Sequence, residues 1–231
     1  MNWYGKIIQE YNKGEITMEW LLIKPKNSVT LNGQNFPLTD AQVKEVKKCL
    51  GIKFLGIPSV LLADIPVAET FKIGKHEFFV LEHRGDETAI MLKSLLRESE
   101  KFGDNNNYDG SNVDKICNDF AKEIANIVGE ENIVEHTVDL TSDDGLDDYG
   151  KIKRKMSLLT CELYRKYVRI LDKFKLGKWW WLATPFSTPT HDDADWIKCV
   201  SPRGGIYGGN HYGNYGVRPF CILKSNIFVS K

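Results

Sequence analysis

Trp179-Trp180-Trp181-Leu182-Ala183-Thr184-Pro185 is the stretch on which the fold turns. Three consecutive tryptophans, an apolar step and a proline read as a strand. Successive side chains of a strand point to opposite faces, so Trp180 is expected to point away from Trp179 and Trp181. At least one ring belongs to a core, and an exposed one offers a surface for stacking on a sugar or a partner's side chain. Further short apolar runs follow at 196–200, 206–207 and 217–223, separated by Gly and Pro, and the last of them contains Gly216-Val217-Arg218-Pro219.

Upstream, residues 69–73 and 76–82 flank Gly74-Lys75 as a hairpin, with 87–92 as a third strand. Asp104 to Gly110 form a polar loop. Ser111 is placed to cap a helix whose apolar face is Val113, Ile116, Cys117, Phe120, Ile124 and Ile127, and Gly129 suits its end. Residues 133–140 read as one strand running into the acidic turn 142–148. A second helix is expected over 157–171, with Leu159, Leu163, Tyr167 and Ile170 buried. Strands, two helices and then strands imply an α+β domain over 65–231.

Residues 1–64 read as a separate N-terminal appendage, available for a partner. Trp3, Tyr4, Ile7, Ile8 and Tyr11 have near-helical spacing, and 17–23 fit strand or helix. Pro25, Asn27, Gly33, Asn35 and Pro37 break the pattern. Thr39 is placed to cap a helix carrying Val43, Val46, Cys49 and Leu50 on one face.

Composition narrows the function classes. The 231 residues are 42% hydrophobic, enough for a sizeable core. Thirty-one Lys and Arg balance 31 Asp and Glu, so nothing favours sequence-independent binding of nucleic acid or of an anionic membrane. No apolar run is long enough to span a bilayer, and the first residues lack a signal-peptide core. Five cysteines, widely spread and without C-x-x-C spacing, read as buried thiols in a reducing compartment.

Val138-Asp139-Leu140-Thr141-Ser142-Asp143-Asp144-Gly145-Leu146, Ser157-Leu158-Leu159-Thr160, Trp180-Trp181-Leu182-Ala183-Thr184-Pro185 and Gly216-Val217-Arg218-Pro219 occur in that order. In these motifs the chain resembles a family of uncharacterised bacterial and phage domains with a C-type-lectin-like fold. The resemblance covers about Ile65 to Leu223 and leaves out residues 1–64. It implies a domain with two main helices and short antiparallel strands; the missing signal-peptide core in turn leads us to expect the cytoplasm of a bacterial host or a virion as its place. The same broad fold includes formylglycine-generating enzymes and variable receptor-binding proteins, so kinship of fold does not choose among roles.

Ser201 to Tyr215 carry the candidate binding residues. Arg203, Tyr207, Asn210, His211, Tyr212, Asn214 and Tyr215 combine rigid amphipathic rings with adaptable hydrogen-bonding groups on a Gly-rich backbone, as antibody paratopes do. The same pattern also fits tight strand connections whose tyrosines pack on the tryptophans. Trp180, Trp181 and Arg218 are expected to be structural, Arg218 setting its guanidinium against backbone carbonyls or a carboxylate. Asp143, Asp144, Asp147 and Asp148 offer oxygen ligands for calcium, yet their order matches no EF-hand, and the Glu-Pro-Asn and Trp-Asn-Asp signatures of calcium-dependent sugar binding are missing. A solvated turn is expected, as is an exposed loop for His191, Asp192, Asp193 and Asp195. No cofactor fingerprint, nucleophile elbow or H-E-x-x-H motif is present.

The leading expectation is a noncatalytic protein that binds a protein or glycan partner through its terminal loops, with no metal, cofactor or catalytic residue. Two alternatives are an intracellular phage or mobile-element inhibitor of a host defence protein, using the appendage, and an enzyme related to the formylglycine-generating group, which needs Cys199 or Cys221.

Overall fold

A computed structural model of the protein describes residues 22–24, 28–31, 34–37 and 59–231. The chain divides into two compact units, Met1–Pro58 and Ser59–Lys231. In the first, β1 (Leu22–Lys24), β2 (Ser28–Leu31) and β3 (Gln34–Pro37) form an antiparallel sheet in that order. Asn35 and Pro37, expected to interrupt structure, lie within β3 opposite Thr30 and Ser28. The helices expected over 2–12 and 39–50 fall outside the described residues.

The second unit begins at Ser59 and not at Ile65. The reason is long-range pairing: β4 (Ser59–Leu61) lies antiparallel to the last strand, β18 (Phe228–Ser230). β5 (Thr70–Ile73), β6 (His76–Arg84) and β7 (Glu87–Leu92) form the expected antiparallel meander. After β8 (Arg97–Lys101) comes α1 (Asn112–Val128), where Ser111 Oγ accepts from the Asp114 N–H at 3.1 Å as the N-cap. Ile127, counted above on its apolar face, is exposed.

Residues 133–140 are two strands. Ile133 and Val134 (β9, Ile133–Val134) pair with β17 (Phe220–Lys224), whereas β10 (His136–Asp139) leaves that sheet to pair with β11 (Lys151–Arg154). The second helix, α2, spans Cys161–Leu171 and starts later than expected. Met156 and Ser157 are already committed as β12 (Met156–Ser157) beside β17, and the Thr160 side chain caps the helix. Its buried face is Cys161, Tyr164, Tyr167 and Leu171, with Leu163 and Ile170 only partly buried on its flanks.

β13 (Trp180–Pro185), β14 (Trp196–Val200), β15 (Ile206–Asn210) and β16 (Asn214–Val217) complete the domain. An eight-stranded sheet runs β12-β17-β7-β6-β5-β18-β4, with β9 also on β17, and a five-stranded sheet runs β15-β14-β13-β16-β8. The expected strand over 217–223 is therefore split. Val217 belongs to the smaller sheet, Phe220 to the larger, and Arg218-Pro219 carry the chain across.

Three four-residue runs explain the layering. In Phe78-Phe79-Val80-Leu81, Trp180-Trp181-Leu182-Ala183 and Phe220-Cys221-Ile222-Leu223, alternate residues enter two different cores. One core is covered by α1 through Val113, Cys117, Phe120 and Ile124, and the other by α2 through Tyr164, Tyr167 and Leu171. Strands buried on both faces must be apolar at every position, and these are.

Arg218 is buried at the sheet crossing. Its Nε donates to Leu92 O at 2.9 Å, and its guanidinium also donates to Lys93 O at 2.8 Å and Phe174 O at 3.2 Å. The Phe79 and Trp180 rings lie 5.2 and 5.6 Å from the guanidinium carbon. No carboxylate pairs with it among the described residues; carbonyl dipoles and ring faces hold the charge, while burial lowers its pKa to about 10. Arg218→Ala leaves buried acceptors unpaired and a cavity between two aromatic rings. It is expected to cost roughly 3–5 kcal/mol, measured by urea unfolding, with Arg218→Lys recovering only a minor part because an ammonium cannot serve three carbonyls in one plane.

Candidate functional site

The candidate site is an aromatic surface on the five-stranded sheet. Because β13 alternates faces, Trp180 enters the α2 core and Trp181 the α1 core, while Trp179, just before the strand, emerges at the surface. A ladder of rings then runs outward from the core. Phe102 packs on Trp181 at 5.4 Å, Trp181 on Tyr215 at 4.4 Å, Tyr215 on Trp179 at 5.6 Å and Trp179 on Tyr207 at 5.5 Å. Gly209 makes this possible: a Cβ there would lie 2.4 Å from the Tyr215 ring and 3.1 Å from Trp181.

The opposite face of β14 and β15 carries a second group. Trp196 and Phe186 lie over Gly208, and the Lys198 ammonium sits 4.5 Å from the Phe186 ring centre while pairing with Asp143 at 2.7 Å. Trp179, Phe186, Trp196, Tyr207 and Tyr212 are 37, 44, 46, 56 and 64% exposed. Desolvating such rings is what gives a partner its affinity.

Polar side chains fix the loop that bears Phe186 and Trp196. Asp144, expected to be solvated, accepts from Ser142, Ser187 and His191, and Asp148 accepts from Thr188 and Thr190, both at 2.6 Å. These hydrogen bonds hold the Asp144 carboxyl far below the usual carboxylate range and lower that of Asp148. Asp143 is paired with Lys198 and Arg165. Buried Asn106 donates to Ser187 O, Asp193 O and Trp196 O and accepts from Tyr149. The acidic turn is thus a clamp on the 187–196 loop, and Asp193 spends its carboxylate on the Asp195 and Trp196 amides. Among the described residues no cluster of three or more His, Cys, Asp or Glu is arranged to hold a metal ion.

The candidate binding residues divide by environment. Tyr207, Tyr212, Asn214 and Arg203 are exposed, with Arg203 on the β14–β15 turn and Tyr212 beyond the other end of β15. Asn210 and His211 are half-buried and committed to the β15–β16 turn. Asn210 Oδ1 accepts from the Tyr212 amide, and His211 Nδ1 donates to Gly103 O at 3.0 Å. Tyr215 is wedged between Trp179 and Trp181. Paratope-like exposure and packing on tryptophan both occur, in different tyrosines. Phe186 and Trp196 were not singled out from sequence; the only signal was a large aromatic at each end of a polar Pro- and Asp-rich loop.

The described cysteines and His136 are closed in. Burial pushes the Cys117 and Cys199 thiols up to about 12, and that of Cys221 higher still. Thiols so protonated are poor nucleophiles at neutral pH. His136 is buried, with Nε2 donating to Ser157 Oγ at 2.8 Å and Ser157 in turn donating to Leu158 O. Its Nδ1 has no hydrogen-bond partner among the described residues. Burial lowers its pKa to about 4; the nearby Val134 carbonyl opposes this shift, and the charges of Arg84 and Lys153 reinforce it.

The chain matches no family model, no curated protein and no solved structure. Among the described residues no helix is long and apolar enough to cross a membrane.

Two outcomes are expected. Tyr215→Ala should lose roughly 1–3 kcal/mol in urea unfolding, whereas exposed Tyr207→Ala should stay within about 0.5 kcal/mol of the parent. The unfolded chain protonates His136 near pH 6.5 and the folded chain only near pH 4, so the unfolded state binds more protons between these values. Stability should therefore fall as pH drops through this window, by roughly 3 kcal/mol in all, and His136→Gln should flatten the decline between pH 6.5 and 5, where carboxylates contribute least.

Proposed function

We propose that the chain is a noncatalytic binding protein on a C-type-lectin-like scaffold, of bacterial, prophage or phage origin, which contacts a protein or glycan through the aromatic surface of its five-stranded sheet. The observation that carries this reading is the set of five large aromatic side chains, Trp179, Phe186, Trp196, Tyr207 and Tyr212, left exposed on one small sheet and its loops. Rigid rings lose little conformational freedom on binding, and the clamped loop beneath Phe186 and Trp196 is ordered before a partner arrives. Zero net charge fits recognition by surface complementarity and not by electrostatic capture of a polyanion.

The buried thiols argue against the formylglycine-generating alternative. That chemistry needs an accessible thiolate, and Cys199 and Cys221 both point into the α1 core with their protons held. The cytoplasm or the virion is the proposed place of action.

The test uses the full-length protein as bait in lysate of its native bacterial host, beside a folded Tyr207→Ala/Tyr212→Ala control, with a glycan array in parallel. A protein or glycan retained by the parent and lost by the control is the expected result. Equal retention by the parent, by this control and by a folded Phe186→Ala/Trp196→Ala control that strips the opposite face would remove the aromatic surface as the contact, and turnover of a cysteine-containing peptide that Cys199→Ser abolishes would replace the binding reading with the enzymatic one.

A further inference from the structure

The sheet edges of the second unit differ in how they are guarded. The eight-stranded sheet ends in β12 and β4, of two and three residues. In the two-stranded sheet, β11 carries Lys151, Lys153 and Arg154. The five-stranded sheet ends in β8 and β15, each five residues long. β8 reads Arg97-Glu98-Ser99-Glu100-Lys101. In antiparallel self-pairing centred on Ser99, Arg97 would face Lys101 of a second copy and Glu98 would face Glu100, like charge against like. β15 reads Ile206-Tyr207-Gly208-Gly209-Asn210 and carries no charge, and no described strand pairs with its outer side.

Backbone alternation defines what this edge offers. The Ser201 amide donates to Gly205 O and the His211 amide to Asp195 O, at 2.8 and 2.7 Å. In an antiparallel ladder the bonded pairs recur at every second residue, so Tyr207 and Gly209 bond to β14 while Ile206 and Gly208 turn both N–H and C=O outward and Asn210 its N–H, the Asn210 C=O also accepting from the Gly213 amide at 2.7 Å in the β15–β16 turn.

The geometry points to a homodimer in which the β15 strands of two copies pair antiparallel about a two-fold axis at Gly208, joining the two five-stranded sheets into one. In this register Gly208 faces itself, Ile206 faces Asn210 and Tyr207 faces Gly209, a position without a side chain. No like charges oppose one another. The ends of the strand are complementary: exposed Arg203 lies on the turn before Ile206 and has no ion-pair partner among the described residues, while Asp195 sits level with His211 beyond Asn210, its carboxylate 3.4 Å from His211 Nε2 and still 63% exposed. Antiparallel pairing brings the Arg203 end of each copy to the Asp195 end of the other, twice by symmetry. The zero net charge removes long-range repulsion between copies. The dimer sets two aromatic surfaces on one continuous sheet, so a repetitive partner is held bivalently.

The dimer stands on the edge alone, and its test needs no partner. Sedimentation velocity of the full-length chain is expected to show the mass rising from 26.4 kDa towards twice that value with increasing concentration, with a dissociation constant on the order of 1–100 µM for so short an edge. Ile206→Lys/Asn210→Lys places like charges across the axis and is expected to leave a folded monomer. Arg203→Glu and Asp195→Lys, both on exposed side chains, should each weaken the dimer by about tenfold, and the double swap should restore it. A single-chain mass for the parent across the range, or failure of the double swap to restore what each single change loses, overturns the proposal. The charge-swap series decides the matter if the lysine pair does not fold. A monomer that still captures its partner would overturn the dimer and leave the proposed function standing.

Discussion

The domain depends on a cation held by carbonyls and ring faces, with no carboxylate paired to it among the described residues. Arg218 sits at the step where the chain leaves the five-stranded sheet after Val217 and enters the eight-stranded sheet at Phe220. Its donors end on Leu92, Lys93 and Phe174, the first two at the end of β7 and the third in the turn after α2. One side chain thus ties both sheets to α2. Desolvation disfavours the charge, and the directed carbonyls and the faces of Phe79 and Trp180 offset that penalty only in this geometry. A buried group that needs three acceptors at once selects one arrangement of the elements around it.

From that junction the two cores grow in opposite directions. The apolar runs of β6, β13 and β17 feed both, so neither sheet face is free to meet water at their centre. The rings of Phe102, Trp181, Tyr215, Trp179 and Tyr207 extend one core continuously to the surface. The exposed end of that ladder is rigid because its buried end is packed. Across the same strands, the carboxylates of Asp144 and Asp148 and the amide of Asn106 fix the loop carrying Phe186 and Trp196. Recognition by shape needs such preorganisation, since every ring immobilised before contact is a loss of freedom that contact does not incur.

The contrast between the two edges of the smaller sheet follows the same logic. β8 spends four of its five residues on charges that repel in self-pairing, while β15 presents glycine and tyrosine with the backbone groups of Ile206 and Gly208 and the Asn210 N–H turned outward. Where protection against strand addition is applied to one edge and withheld from the other, the unguarded edge is the place to look for an added strand.

Periodicity in the sequence determined the meander over β5 to β7, the capped α1, the opposite sense of Trp180 and Trp181 and the α+β class, because each depends on local spacing or on a single capping side chain. Carbonyls, too, were an anticipated resting place for Arg218. The remainder depended on partners far away in the chain. The break at Glu135, the late start of α2 at Cys161 and the split after Val217 are imposed by pairing with β17, and the start of the unit at Ser59 by pairing with β18. The acidic turn looked solvated because its acceptors are satisfied by Ser187, Thr188 and Thr190, some forty residues later. Of the tyrosines in the Gly-rich segment, sequence could not say which were surface and which were packing. That was decided by Gly209, whose missing Cβ lets Tyr215 close on Trp181 and leaves Tyr207 outside.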